Sequence, residues 1–167
     1  ALTLVTVEEA VRSLISRKEI DNVVPLISEL IQQNPQFTFV IVEGAIKSFA
    51  LKRMFDSARS MISQLVEANQ ERVSDIIQGA ISALEGNVDG IQSMILYLVQ
   101  NNPNRTSDIV QGVISALEEN VDGIHIIQGM VNALVLSNNL NQVGPTLLQL
   151  IQSNINCVPD IIRAAIN

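Results

Sequence analysis

Apolar positions along this chain recur at helical rather than strand spacing. Val23, Leu26, Ile27, Leu30 and Ile31 fall at i, i+3, i+4, i+7 and i+8. Ala58, Met61, Ile62, Leu65 and Val66 repeat that spacing, as do Ile91, Met94, Ile95, Leu98 and Val99. A similar stripe runs through Val73, Ile76, Ile77, Ala80, Ile81 and Leu84. Side chains three and four apart share one helix face, so each stripe reads as a helix that buries one side. The spacing predicts ten helices, over 6–17, 22–34, 39–52, 56–69, 74–86, 88–101, 107–119, 121–137, 142–153 and 159–166.

The helices come in repeated pairs. Ser74 to Ile91 recurs almost unchanged as Ser107 to Ile124, an offset of 33. The first helix of each pair, type A, carries an acidic or amide residue, a small residue, two apolar positions, then Ser/Ala and Leu/Phe. This signature occupies Glu8 to Leu14, Glu43 to Phe49, Gln78 to Leu84, Gln111 to Leu117 and Gln128 to Leu134, with a cut-off copy at Arg163 to Asn167. The second helix, type B, ends in two aliphatic residues, two variable ones and Asn, at Asn34, Asn69, Asn102, Asn138 and Asn154. Self-similarity at such a period marks stacked supersecondary units. The pattern predicts an all-α chain: an α-solenoid of about five stacked antiparallel helix pairs with repeats of 33–36 residues, one helical-repeat domain over 1–167. The chain opens on Ala1 and stops mid-unit, which reads as an excerpt of a longer array.

Local signals agree. Thr6 to Glu9 fits a capping box, and Ser74-Asp75 and Ser107-Asp108 fit a cap followed by an early carboxylate. Asn tolerates the left-handed conformation that closes a helix, and Pro35 and Pro103 discourage continuation beyond Asn34 and Asn102. Pro25 and Pro145 stand near the starts of two B helices, where a missing N–H matters little. Gly44, Gly79, Gly112 and Gly129 fall inside A helices, where Gly is unfavourable by about 1 kcal/mol relative to Ala. Their recurrence points to helix backbones crossing closely. Between Val121 and Ser137 an A signature overlaps a B signature, so the alternation slips by half a unit, in one longer helix serving both neighbours.

A period near 35 with two helices per unit is similar to pentatricopeptide and tetratricopeptide repeats. The first resemblance implies RNA reading and the second implies peptide binding. It extends to length and helix pairing only: Trp is absent and aromatics make up 3% of the chain.

Composition narrows the function. Charged residues are 16% of the chain, against a usual quarter, and Asn, Gln and Ser replace them with 42 residues. A surface so weakly charged leans towards self-association or a covered face. Net charge is −7, and residues 76–167 hold two Lys/Arg against seven Asp/Glu. A phosphate backbone would meet no basic stripe there, which disfavours nucleic acid as the partner. No apolar run reaches the roughly 18 residues of a membrane span. Cys157 is the single cysteine, so an internal disulfide is excluded and the compartment stays open.

Candidate chemistry is sparse. His125 is the sole histidine, without metal-ligand or nucleophile partners at suitable spacing, and reads as a surface or boundary residue. Cys157 lies before a helix start, where a thiolate gains some stabilisation, yet a buried small hydrophobe is the simpler reading. Glu8/Glu9 and Glu118/Glu119 are neighbours that point apart, so they form no acid–base dyad. Lys47, Lys52, Arg53 and Arg59 are the one local positive cluster, an anchor for an acidic partner or ordinary surface. No catalytic, metal or cofactor site emerges.

The repeat itself supplies the candidate site. Residues four apart on the A helices, opposite their stripe, read Glu8/Arg12, Glu43/Lys47, Gln78/Ser82, Gln111/Ser115, Gln128/Asn132 and Arg163/Asn167. Stacking would align them as a polar ladder, and repeat proteins bind along the surface lined by one helix of each pair. Lys47, Gln78, Ser82, Gln111, Ser115, Gln128 and Asn132 are the expected binding residues of a non-enzymatic scaffold for a protein or peptide. Self-assembly through the ends, where Ile161, Ile162 and Ile166 would lack cover, is the alternative, and single-stranded nucleic-acid binding a weaker one.

Overall fold

The computed structural model describes residues 3–117, 123–153 and 166. Among them run α1 (Leu4–Ser16), α2 (Val23–Gln33), α3 (Thr38–Leu51), α4 (Phe55–Ala68), α5 (Val73–Ala83), α6 (Val88–Asn101), α7 (Thr106–Leu117), α8 (Gly123–Leu136) and α9 (Leu140–Ser153). No strand occurs among the described residues, and the chain is all-α as expected. The tenth predicted helix, the Arg163/Asn167 pair, Cys157, Ile161 and Ile162 lie outside the described residues.

Helix entry differs from expectation. Short 3₁₀ turns at Ile20–Asn22, Pro35–Phe37, Gln70–Arg72 and Pro103–Arg105 run directly into α2, α3, α5 and α7. Amides at these starts donate to turn carbonyls, as Arg72 N does to Asn69 O at 2.9 Å and Arg105 N to Asn102 O at 2.9 Å. A serine cap is therefore redundant, and Ser74 Oγ instead accepts from Gln78 Nε2 at 3.0 Å. α1 begins earlier than its capping box predicts: Thr3 is the cap, its Oγ1 accepting from Thr6 N at 3.2 Å. Asn87 caps α6, with Oδ1 accepting from Gly90 N at 2.9 Å. Pro145 is no helix starter but sits inside α9, since that helix opens at Leu140. It removes the bond its amide would have made to the Asn141 carbonyl.

Of the asparagine ends expected to be left-handed, Asn138 is so at φ 60°, three are not, and Asn154 lies outside the described residues. Asn34, Asn69 and Asn102 adopt φ of −136°, −129° and −125°. Asn34 Nδ2 reaches back to Leu30 O at 3.1 Å, and Asn69 Nδ2 to Leu65 O at 3.0 Å. The side-chain amide thus adds a second donor to a carbonyl that the same residue's backbone N–H already holds at 2.9 Å. Left-handed residues close A-type helices instead: Lys18 after α1, Arg53 after α3 and Asn138 after α8, at φ 60°, 55° and 60°. Each is followed by a six-to-one bond of the kind that seals such ends, from Glu19 N to Leu14 O, Met54 N to Phe49 O and Asn139 N to Leu134 O.

Packing separates the helices into two ranks. α1, α3, α5 and α7 pack closely in succession, whereas α2, α4 and α6 touch sparsely and α6 then packs closely on α8. The in-helix glycines set the close spacing. A Cβ at Gly44 would stand 3.0 Å from Val7 Cβ, one at Gly79 2.7 Å from Phe39 O, and one at Gly112 2.7 Å from Ile77 Cβ. These helices therefore bury two sides: α5 covers Val73, Ile76, Ile77, Gly79, Ala80 and Ile81, while α4 covers only Ala58, Met61, Ile62, Leu65 and Val66.

The overlap at 121–137 resolves in favour of type A. α8 buries Ile126, Ile127, Gly129, Met130, Val131, Ala133 and Leu134, the positions that α5 buries, and leaves Asn132 exposed. Its Gly129 approaches Gln92 of α6, where an added Cβ would meet Cγ at 2.8 Å. An A-type helix thus stands in the rank of the B helices. Its described part is 14 residues, no longer than α3, α4 or α6.

The glycine contacts carry a direct expectation. Gly79→Ala gains helix propensity of about 1 kcal/mol but must displace a backbone carbonyl. Net destabilisation of about 1–3 kcal/mol in urea unfolding is expected; an unchanged or raised midpoint would contradict this packing.

Candidate functional site

The predicted ladder is only partly assembled. Lys47, Gln78, Ser82, Gln111 and Ser115 sit on α3, α5 and α7, which pack on one another. Gln128 and Asn132 sit on α8, whose close neighbour is α6, so they leave that series. Charges on the ladder are already engaged: Lys47 Nζ lies 2.8 Å from Glu43 Oε1, and Arg12 pairs with Glu8 at 3.7 Å. Exposed pairs of this kind contribute little to stability. Gln78 bonds Ser74 rather than Ser82, and Gln111 Oε1 accepts from Gln149 Nε2 of α9 at 2.6 Å. A hollow of about 280 Å³ does lie on this face, lined by Glu8, Lys47, Ala50, Leu51 and Ala83.

The positive cluster does not converge either. Lys47 is held by Glu43 and Arg59 by Asp56, which leaves Lys52 and Arg53 exposed at the α3 end. His125 is exposed, and its backbone carbonyl accepts from Gln92 Nε2 at 2.9 Å. Among the described residues no three His, Cys, Asp or Glu side chains are grouped to hold a metal ion.

The larger concavity is on the other rank. Between α2 and α4 lies a groove of about 640 Å³, with Val24, Phe49 and Met61 on its floor and Asp21, Ser28 and Ser60 among its polar groups. A second hollow of about 340 Å³ continues between the same helices at Ile31, Gln32, Ala68 and Asn69. Ser28, Ser60 and Val24 leave space because they are short. No hydrogen bond or ion pair links α2 to α4 among the described residues.

The equivalent seam between α4 and α6 is tied shut. Asn102, 1% exposed, donates through Nδ2 to Ser63 O at 3.1 Å and Glu67 Oε1 at 2.8 Å. Its Oδ1 accepts from Ser63 Oγ at 2.8 Å, and Arg105 stands 3.9 Å from Glu67. Counting back from each terminal Asn, Val24 and Ser28 of α2 correspond to Arg59 and Ser63 of α4. The repeats differ in size at one of these positions, Val24 against Arg59, while Ser28 and Ser63 are identical, a comparison that attention to the A helices passed over.

No protein-family model matches the chain, and comparison with curated proteins and with solved structures finds no match. Function must come from the surface itself. Among the described residues no helix is long and apolar enough to cross a membrane.

Asn102 separates tied from untied seams energetically. Asn102→Ala removes a buried amide and leaves the half-buried Ser63 hydroxyl and Glu67 carboxylate without it, and should lower stability by about 1–3 kcal/mol. Asn69→Ala, the counterpart at the α2–α4 seam, loses one bond to a carbonyl of its own helix that keeps its backbone donor and should cost less than about 1 kcal/mol. Equal losses in denaturant titrations would remove the distinction.

Proposed function

We propose that this protein is a non-enzymatic helical-repeat scaffold, an α-solenoid in kind, that binds a protein or peptide segment in the groove between α2 and α4. One observation carries the reading: of two equivalent seams in the same rank, the α4–α6 seam is bridged by Asn102 and the α2–α4 seam is open. Close spacing of α1, α3, α5 and α7 with looser spacing of α2, α4 and α6 fits an arc of stacked pairs, which spreads the second rank. An apolar floor with a few polar groups at its rim is the usual make-up of a peptide-receiving groove. Asp21, exposed and without a salt-bridge partner among the described residues, favours a segment that places a Lys or Arg beside its apolar anchors.

A second reading keeps the site on the A-helix face, as the ladder predicts. It draws on Lys47, which rims the smaller hollow beside Leu51, a leucine left 68% exposed.

Panning a random peptide library against the whole chain distinguishes the two. Selected peptides should pair aliphatic or aromatic anchors with a basic residue. Their affinity should fall roughly tenfold or more for Ser28→Trp, which fills the groove. A triple substitution Lys47→Ala, Gln111→Ala and Ser115→Ala should leave it unchanged. The reverse pattern would move the site to the A-helix face.

A further inference from the structure

The groove between α2 and α4 ends in unlike charges. Where Ile20, Asp21 and Val24 line it together with Asp56, Ser57 and Ser60, both helices begin. Where Ile31 and Gln32 line it together with Ala68 and Asn69, both helices finish. α2 and α4 therefore run side by side in the same direction. At the starting end Asp56 is paired with Arg59, so Asp21, which is exposed, supplies the free carboxylate. At the finishing end Arg72 lines the hollow, half-buried and without an ion-pair partner among the described residues, and Glu71 beside it is exposed.

The spacing of the two hollows suits a helix. Along α2 the first is lined by residues 20 to 28 and the second by 31 to 35, so their middles stand roughly nine residues, or about 13 Å, apart. Anchors at i and i+7 or i+8 of a docked helix stand about 11–12 Å apart on one face. Both walls are helices, whose amides and carbonyls bond within their own turns. An extended segment would press its backbone onto Val24, Phe49 and Met61 without partners, whereas a helix brings its own hydrogen bonds.

Charge sets the direction. A helix favours carboxylates in its first turn and Lys or Arg in its last. Laid antiparallel to α2 and α4, it sets its basic end beside Asp21 and its acidic start beside Arg72. Its dipole then also opposes those of both walls. Laid parallel, it would put carboxylate against carboxylate and cation against cation. We propose that the groove takes an amphipathic helix about as long as the 14 residues of α4, antiparallel to α2 and α4, acidic in its first turn and basic in its last. This rests on the groove reading and adds the partner's secondary structure, polarity and direction.

The test pans a phage library of peptides of that length against the full chain. Leucines are fixed at helical spacing, and the first and last turns are randomised among Glu, Lys and Ala. Selected peptides should carry Glu first and Lys last, and synthetic copies with the two ends exchanged should bind at least tenfold more weakly. Asp21→Lys with Arg72→Glu should invert that preference. A proline at the centre of a selected peptide should weaken it at least tenfold, because it breaks the helix. Ser28→Trp should abolish binding of both charge orders, with helical circular dichroism unchanged. Val24→Arg, the residue α4 carries at the equivalent position, serves in its place if Ser28→Trp unfolds the chain. If no peptide is selected, or those selected ignore the filled groove, the groove reading falls and this inference with it. If filling the groove blocks binding but both charge orders bind alike, or the proline is tolerated, the groove stands and the antiparallel helix is overturned.

Discussion

The closeness of α1, α3, α5 and α7 governs the rest of this molecule. Missing Cβ atoms at Gly44, Gly79 and Gly112 let each helix lie close to the one before, with Gly79 against the Phe39 carbonyl and Gly44 and Gly112 against Val7 and Ile77. Helices set this close bury both flanks, which is why α3, α5 and α7 are lined by Ile, Val, Ala and Gly and why aromatics are nearly dispensable. Glycine lowers helix propensity at those positions. Packing across two flanks offsets that loss.

Close spacing in one rank has a geometric consequence in the other. α2, α4 and α6 touch one another more sparsely than α1, α3, α5 and α7 do, so their side chains must span wider gaps. The chain meets that demand unevenly. Asn102, Ser63 and Glu67 bridge the α4–α6 gap with half-buried hydrogen bonds, and Gly129 of α8 closes directly onto Gln92. Between α2 and α4, short side chains leave the gap open. Asn and Ser stand at the equivalent positions of both seams, yet among the described residues only Asn102 bridges to the neighbouring helix, while Asn69 bonds back to its own.

Much of this was written in local pattern. The stripes gave helix type and nearly every boundary, because i, i+3, i+4 spacing constrains a helix whatever its neighbours do. Recurrent in-helix glycines gave the close crossings, since only backbone contact justifies Gly at a position so unfavourable to it. Caps were less legible: Ser74 has a cap's identity but sits inside a helix entered through a 3₁₀ turn, whose carbonyls already hold the first amides. Of the terminal asparagines expected to be left-handed, Asn138 is so at φ 60°, whereas Asn34 and Asn69 bond back to their own helices through side-chain amides and Asn102 turns its amide to α4.

The candidate site shows where sequence stops. Residue order by itself determined the nine helices found among the described residues, their apolar faces and which of them could approach closely, because these depend on spacing along one chain. Only the tertiary structure decided that α8 sets its A-type face against α6, that Gln128 and Asn132 therefore leave the ladder, and that the α2–α4 seam stays open. Those outcomes turn on which helix ends up beside which, and on side chains far apart in sequence competing for the same gap.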